Sequence, residues 1–142
     1  MKYFIGTDHA GYEIKSFVIE YLEKNGIEVE DLGTYSNESV DYPDFAHKVA
    51  KAVLDNEGTR GILICGSGIG MSLAANKHKG IRAALCHDCY TAKMARLHND
   101  ANILCFGARI VGLGVIESIL DAWIQSEFEG GRHQRRINKI DI

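Results

Sequence analysis

Five times along this chain of 142 residues a short apolar run is followed by a stretch whose apolar positions recur three and four apart. Tyr3-Phe4-Ile5 opens the series, and Ile14, Phe17, Val18, Tyr21 and Leu22 then mark one face of a helix that stops at Asn25-Gly26. Ile27–Leu32 alternates apolar and acidic residues, the pattern of a half-exposed strand near a sheet edge. A polar loop, Gly33–Asp41, leads to Pro43, placed where the first turn of a helix tolerates proline; Phe45, Ala46, Val49, Ala50, Val53 and Leu54 give that helix its expected buried stripe. Ile62-Leu63-Ile64 with Met71–Lys77, Ile81–Cys86 with Tyr90–His98, and Ala101–Phe106 with Val115–Phe128 supply three more strand–helix units. Strands alternating with helices require right-handed crossovers. The expected fold is therefore α/β: a three-layer α/β sandwich around a Rossmann-like five-stranded parallel sheet. The length suits one domain over residues 1–142, with a basic tail from about residue 130.

The remaining gross features narrow the function by exclusion. A formal charge of −3 gives no support to broad binding of nucleic acid or anionic membrane. No apolar run approaches the roughly 20 residues that span a bilayer. The first eight residues lack the long apolar region of a secretion signal, so a cytoplasmic location is expected, with Cys65, Cys86, Cys89 and Cys105 as reduced thiols.

Chemistry concentrates at Cys65-Gly66-Ser67-Gly68-Ile69-Gly70, directly after the apolar run at 62–64. Three glycines in five residues let the backbone turn sharply and aim several N–H groups at one point, and the following residues favour helix. A thiol at the mouth of such an anion cradle suits proton transfer or nucleophilic attack next to an oxyanion, and loop amides favour its charged form. Ligands of open parallel sheets bind at the carboxyl ends of strands. The expected strands deliver Asp8-His9, Cys65, His87-Asp88 and Arg109 there, and His98-Asn99 at the end of the fourth helix is expected to join the same edge. Such a set fits proton transfer on a small, anionic, hydroxylated molecule.

Five segments together carry a family resemblance: Gly6-Thr7-Asp8-His9-Ala10-Gly11, Asp41-Tyr42-Pro43, Cys65–Gly70, Arg96-Leu97-His98-Asn99-Asp100-Ala101-Asn102, and Glu129-Gly130-Gly131-Arg132-His133. In this order and spacing the chain resembles the type-B ribose-5-phosphate isomerases, a family that includes allose-6-phosphate and galactose-6-phosphate isomerases. The resemblance implies an aldose–ketose isomerase of ribose 5-phosphate with no metal or other cofactor. It implies Cys65 as the base that carries a proton between C1 and C2, with the amides of Gly66, Gly68, Ile69 and Gly70 and the Ser67 hydroxyl holding the enediolate. It also implies His98, helped by Asp8, as the group that opens the sugar ring. His9, Tyr42 and Asn99 become substrate contacts, and Arg109, Arg132 and Arg136 the phosphate ligands. His98 and Asn99 would reach the site of a neighbouring subunit, which implies a homodimer or homotetramer.

Other readings of these motifs compete. Glycines at 66, 68 and 70 break the G-x-G-x-x-G spacing of a dinucleotide fingerprint and follow the third strand rather than the first. Cys86-His87-Asp88-Cys89 matches a thiol-redox pair or half a zinc site, but no second ligand pair of matching spacing exists. Cys86, Cys89 and Cys105 are expected to be structural. A non-catalytic binding protein for a sugar phosphate or a nucleotide is a third reading; exchange of the substrate's C2 hydrogen with solvent separates it from an isomerase.

Overall fold

A computed structural model describes residues 1–142. Its strands are β1 (Lys2–Thr7), β2 (Glu28–Asp31), β3 (Arg60–Cys65), β4 (Ala83–Leu85) and β5 (Ile103–Gly107). The helices are α1 (Tyr12–Lys24), α2 (Tyr42–Asp55), α3 (Ile69–Ala75), α4 (Cys89–Asn99), α5 (Leu113–Gln125) and α6 (Arg132–Ile137). All strand pairs are parallel, in the order β2-β1-β3-β5-β4. The α/β sandwich expected from the sequence is present.

Strand alternation builds the two cores. Tyr3 and Ile5, Ile62 and Ile64, Leu104 and Phe106 face one side of the sheet, where Val18 and Leu22 of α1, Ala92 and Ala95 of α4, and Ile116, Ile119, Leu120 and Trp123 of α5 cover them. Phe4, Leu63, Cys65, Ile103 and Cys105 face the other side and meet Ala46, Val49, Ala50 and Val53 of α2 and Met71 and Ala75 of α3. The helix sides follow from the order of the strands. α1 accompanies a step from β1 outward to β2, whereas α2 returns across β1 to β3, and right-handed crossovers then place them on opposite faces. The reversal falls between β1 and β3, whose register pairs Thr7 with Ile64, so Asp8 and Cys65 emerge side by side at the point where ligands bind in such sheets.

Four details depart from the sequence reading. Leu54 is 44% exposed rather than part of the α2 stripe, because it follows Val53 beyond the face that the sheet covers. β4 keeps three residues of the expected six, being an edge strand paired only with β5. α5 ends at Gln125, short of Phe128. The basic tail is not a loose arm: Arg132–Ile137 forms a helix anchored by buried Ile137 and packed against α4.

Candidate active site

β3 ends with its last side chain, Cys65, on the α2–α3 side of the sheet, and the chain turns at once into the glycine loop. Gly68 takes φ +77°, a conformation that costs an L side chain about 1–2 kcal/mol, and a Cβ there would lie 2.7 Å from the Phe106 backbone. This turn brings the Gly68 N–H to the Cys65 sulfur at 3.1 Å. The Ser67 hydroxyl oxygen accepts from the Ile69 N–H at 3.3 Å. The amides of Gly70 and Met71 belong to the first turn of α3 and so have no carbonyl partner within that helix. The loop is braced from β5: Ala108 N–H donates to Cys65 O at 2.8 Å and Arg109 N–H to Gly66 O at 3.1 Å.

Around the sulfur lies an open cavity of about 570 Å³. Asp8, Tyr42, Cys65, Gly66, Ser67, Ile69, Gly70 and Arg109 line it together with Leu73 and Ile110. Asp8 is buried, and its Oδ1 accepts from the Ala10 and Gly11 amides at 2.9 and 3.2 Å. These bonds shape the turn ahead of α1, whose N-cap is Gly11, and Asp8 also faces the cavity. Tyr42 lies over the loop so closely that a Cβ on Gly70 would come within 2.4 Å of its ring. Arg109 reaches across Gly66, where a Cβ would stand 3.1 Å from Nη1. His9 lies beside this group, its Nδ1 accepting from the Val40 N–H at 3.2 Å.

The other four expected site residues stand elsewhere in the protomer. The expectation that His98 and Asn99 share the carboxyl edge with Cys65 is wrong for a simple reason: α4 runs antiparallel to the strands, so its last residues return to the amino edge. One side-chain and one backbone hydrogen bond fix the placement. Arg82 Nε, just before β4, donates to Asn99 O at 3.0 Å, and Gly61, at the start of β3, donates to Asn102 O at 2.9 Å. Gly61 and Cys65 are separated by four residues of strand, about 13 Å along the sheet. Arg132 and Arg136 go with His98, because Glu129 N–H donates to Leu97 O at 3.0 Å and ties the tail to the end of α4. There the Glu129 carboxylate lies between two imidazoles, 3.3 Å from His98 Nε2 and 3.5 Å from His133 Nε2, and the two rings stack with centroids 4.3 Å apart. Burial, then the neighbouring His98 and Arg132, hold the His133 pKa below the ordinary imidazole range.

The Cys86–Cys89 segment opens α4. Asp88 accepts from the Thr91 N–H at 2.7 Å as an N-cap, and these Thr91 hydrogen bonds lower its pKa. Burial pushes the Cys86 thiol up to about 11, while Cys89 is exposed. Such a buried, protonated thiol is poorly suited to redox exchange or zinc. Between them, His87 Nε2 accepts from the Gly107 N–H at 3.1 Å and steadies the end of β5 beside the glycine loop.

Two supporting residues escaped the sequence reading. Lys15 is 4% exposed; its ammonium pairs with Asp31 at 2.9 Å and donates to Thr34 O, pinning the start of the loop that delivers Tyr42. Arg96, also 4% exposed, bonds Asp100 at 3.0 Å and Ala101 O at 2.6 Å, and so fixes the turn after His98-Asn99.

A family model for ribose/galactose isomerases matches residues 3–140. The chain belongs to that family. It is 50% identical to ribose-5-phosphate isomerase B of Escherichia coli over 135 residues, 95% of this chain and 91% of the relative. Among solved structures, ribose-5-phosphate isomerase B of Clostridium thermocellum superposes with a TM-score of 0.96 at 56% identity, covering 99% of this chain and 95% of that one. The type B ribose 5-phosphate isomerase of Trypanosoma brucei gives a TM-score of 0.95 at 49% identity, with coverages of 98% and 95%. No helix is long and apolar enough to cross a membrane.

Proposed function

We propose that this chain interconverts ribose 5-phosphate and ribulose 5-phosphate, with Cys65 as the base and a cis-enediolate as the intermediate. The observation that carries the reading is the Cys65 sulfur, held by the Gly68 N–H in the wall of an open cavity that also exposes a carboxylate, a phenol and a guanidinium. In the forward direction the thiolate removes the proton from C2 of the open-chain aldose. The electron pair of that C–H bond forms the C1–C2 double bond, and the carbonyl pair moves onto O1. Amides at the start of α3 and the Ser67 hydroxyl surround the oxygen where negative charge gathers, so stabilisation grows as the bond breaks. The thiol then returns its proton to C1, the O2 proton moves to O1, and a carbonyl is left at C2. Asp8 keeps one oxygen for a sugar hydroxyl while its amide bonds fix the other. Arg109 offers a guanidinium fork for phosphate.

Ring opening calls for a general acid at the ring oxygen, and His98 on the opposite edge carries an imidazole, the side chain most often used for that task. A second copy of the chain supplies it in this reading. His98, Asn99, Arg132 and Arg136 of one protomer complete the cavity of the other, and the exposed apolar side chains Ile69, Leu73 and Ile110 at the cavity rim become contact surface. The active unit is then a homodimer, alone or within a tetramer, working in the cytoplasm.

Mixing two inactive variants tests this assignment. Cys65→Ala and His98→Ala should each lose isomerisation, and random exchange of their subunits should restore about a quarter of wild-type turnover, since half the dimers then hold one intact site. No recovery after demonstrated exchange would refute the shared site, and near-normal turnover by Cys65→Ala would refute the base. Ribose 5-phosphate should outperform allose 6-phosphate and galactose 6-phosphate in the same assay.

A further inference from the structure

We propose that His98, Glu129 and His133 form a binding site for one borderline divalent cation, with Zn²⁺ the best match. The three donors come from two segments held together by backbone: His98 from the last turn of α4, Glu129 from the strap that bonds Leu97 O, and His133 from the first turn of α6. Glu129 and His133 are four residues apart and approach one another across one turn. Two imidazoles and a carboxylate, with a fourth position left to water, are a common zinc donor set.

Distances favour the same ion. Zinc–nitrogen and zinc–oxygen bonds of about 2.0–2.2 Å place neighbouring donors of a tetrahedron about 3.3–3.6 Å apart. Glu129 Oε1 lies 3.3 Å from His98 Nε2 and 3.5 Å from His133 Nε2, and all three donor atoms fall within 4.8 Å of one another. The donor set selects against Mg²⁺ and Ca²⁺, which prefer oxygen shells. One rearrangement is required. Imidazole lone pairs lie in the ring plane, and the two rings are stacked within 11° of parallel, so binding must splay them by side-chain rotation. His98 is 41% exposed and has room to turn, whereas His133, at 11%, stays as the fixed anchor.

Binding would have a consequence for catalysis, an extension that rests on the role given to His98 above. A cation on His98 Nε2 occupies the lone pair that would carry a proton to or from the ring oxygen. Zinc is then a reversible inhibitor of the ring-opening step.

Equilibrium dialysis of the full-length protein against chelator-buffered Zn²⁺ measures the site directly, and Co²⁺ reports its ligands by visible absorption. One ion per chain is expected, with a tetrahedral Co²⁺ spectrum free of sulfur-to-metal charge transfer, which separates this site from exposed Cys89. Losing even an outer partner of a metal ligand costs about 10–100-fold in affinity. His133→Ala and the isosteric Glu129→Gln should therefore weaken binding at least that much, while Cys89→Ser leaves it unchanged. Absence of stoichiometric binding, or binding that survives both variants in folded protein, overturns the site. Bound zinc that leaves turnover of ribose 5-phosphate untouched would instead refute the part assigned to His98, because the dialysis result stands without it.

Discussion

Replacing Gly68 with alanine separates the loop's geometry from the chemistry of the thiol. A β-carbon at φ +77° costs about 1–2 kcal/mol. It would also stand 2.7 Å from Leu85 Cδ1 and from the backbone carbonyl carbon of Phe106, and overpacking of this kind costs about 1–3 kcal/mol more. The Leu85 side chain can yield, but β5 is an interior strand paired on both sides, by β3 and β4, and cannot, so the loop must move. Together these amount to about 2–5 kcal/mol, a fall in melting temperature of roughly 8–20 °C for a chain of this size. The moving group is the N–H that donates to Cys65 Sγ at 3.1 Å. A hydrogen bond to a charged partner contributes about 1.5–3 kcal/mol, so turnover should fall about 10- to 150-fold beyond any loss of folded protein. The assay is kcat for ketose formation below the variant's melting temperature, together with the alkylation rate of Cys65 mapped by mass spectrometry. A folded Gly68→Ala variant with wild-type kcat and wild-type alkylation would show that the Gly68 amide does nothing for the sulfur.

Three further outcomes are expected. Arg96→Met should lower unfolding stability by about 2–3 kcal/mol in urea titration, because it strips Ala101 O and Asp100 of a buried cationic donor; an unchanged midpoint would mean that the turn holds itself. Arg132→Ala should raise KM for sugar phosphate about tenfold or more with kcat largely kept, since phosphate is bound alike in ground and transition states; an unchanged KM would place the phosphate elsewhere. Tyr21 donates to Asp121 at 2.5 Å, which raises its phenol to about 12 from 10. A pKa raised in the folded state adds stability that is complete below pH 10 and disappears as pH climbs through 12. Urea midpoints of the wild type should therefore fall between pH 10 and 12, and those of Tyr21→Phe should not fall over that interval beyond the background of other groups.

Much of the architecture was readable because interior parallel strands are buried on both faces. Ile62-Leu63-Ile64 and Ile103–Phe106 leave no ambiguity with a surface segment, and the helix stripes follow one face each. Legibility fails where burial depends on a distant partner. Lys15 is buried against Asp31 and Thr34, a contact that no local pattern announces in a residue usually found at the surface. The helix α6 is short and shows only Ile137 to the core, so its periodicity was too brief to detect among arginines. His98 is a different case: the alternation of strand and helix puts the end of α4 on the amino edge, while its chemistry alone resembles that of the residues on the carboxyl edge. The i, i+4 pairing of Glu129 with His133 was visible in the chain; the arrival of His98 beside them was not.

Cys65 is the sixth residue of β3, and along that strand the even positions, Leu63 and Cys65, look toward α2 and α3 while the odd ones, Ile62 and Ile64, look toward α1, α4 and α5. The placement of the sulfur is thus a matter of parity. Adding or removing one residue anywhere between Arg60 and Cys65 would deliver an intact thiol and an intact glycine loop to opposite sides of the sheet. Volume-conserving aliphatic exchanges in this strand should cost less than about 1.5 kcal/mol and leave the sulfur in place, whereas a change of length turns it to the other face.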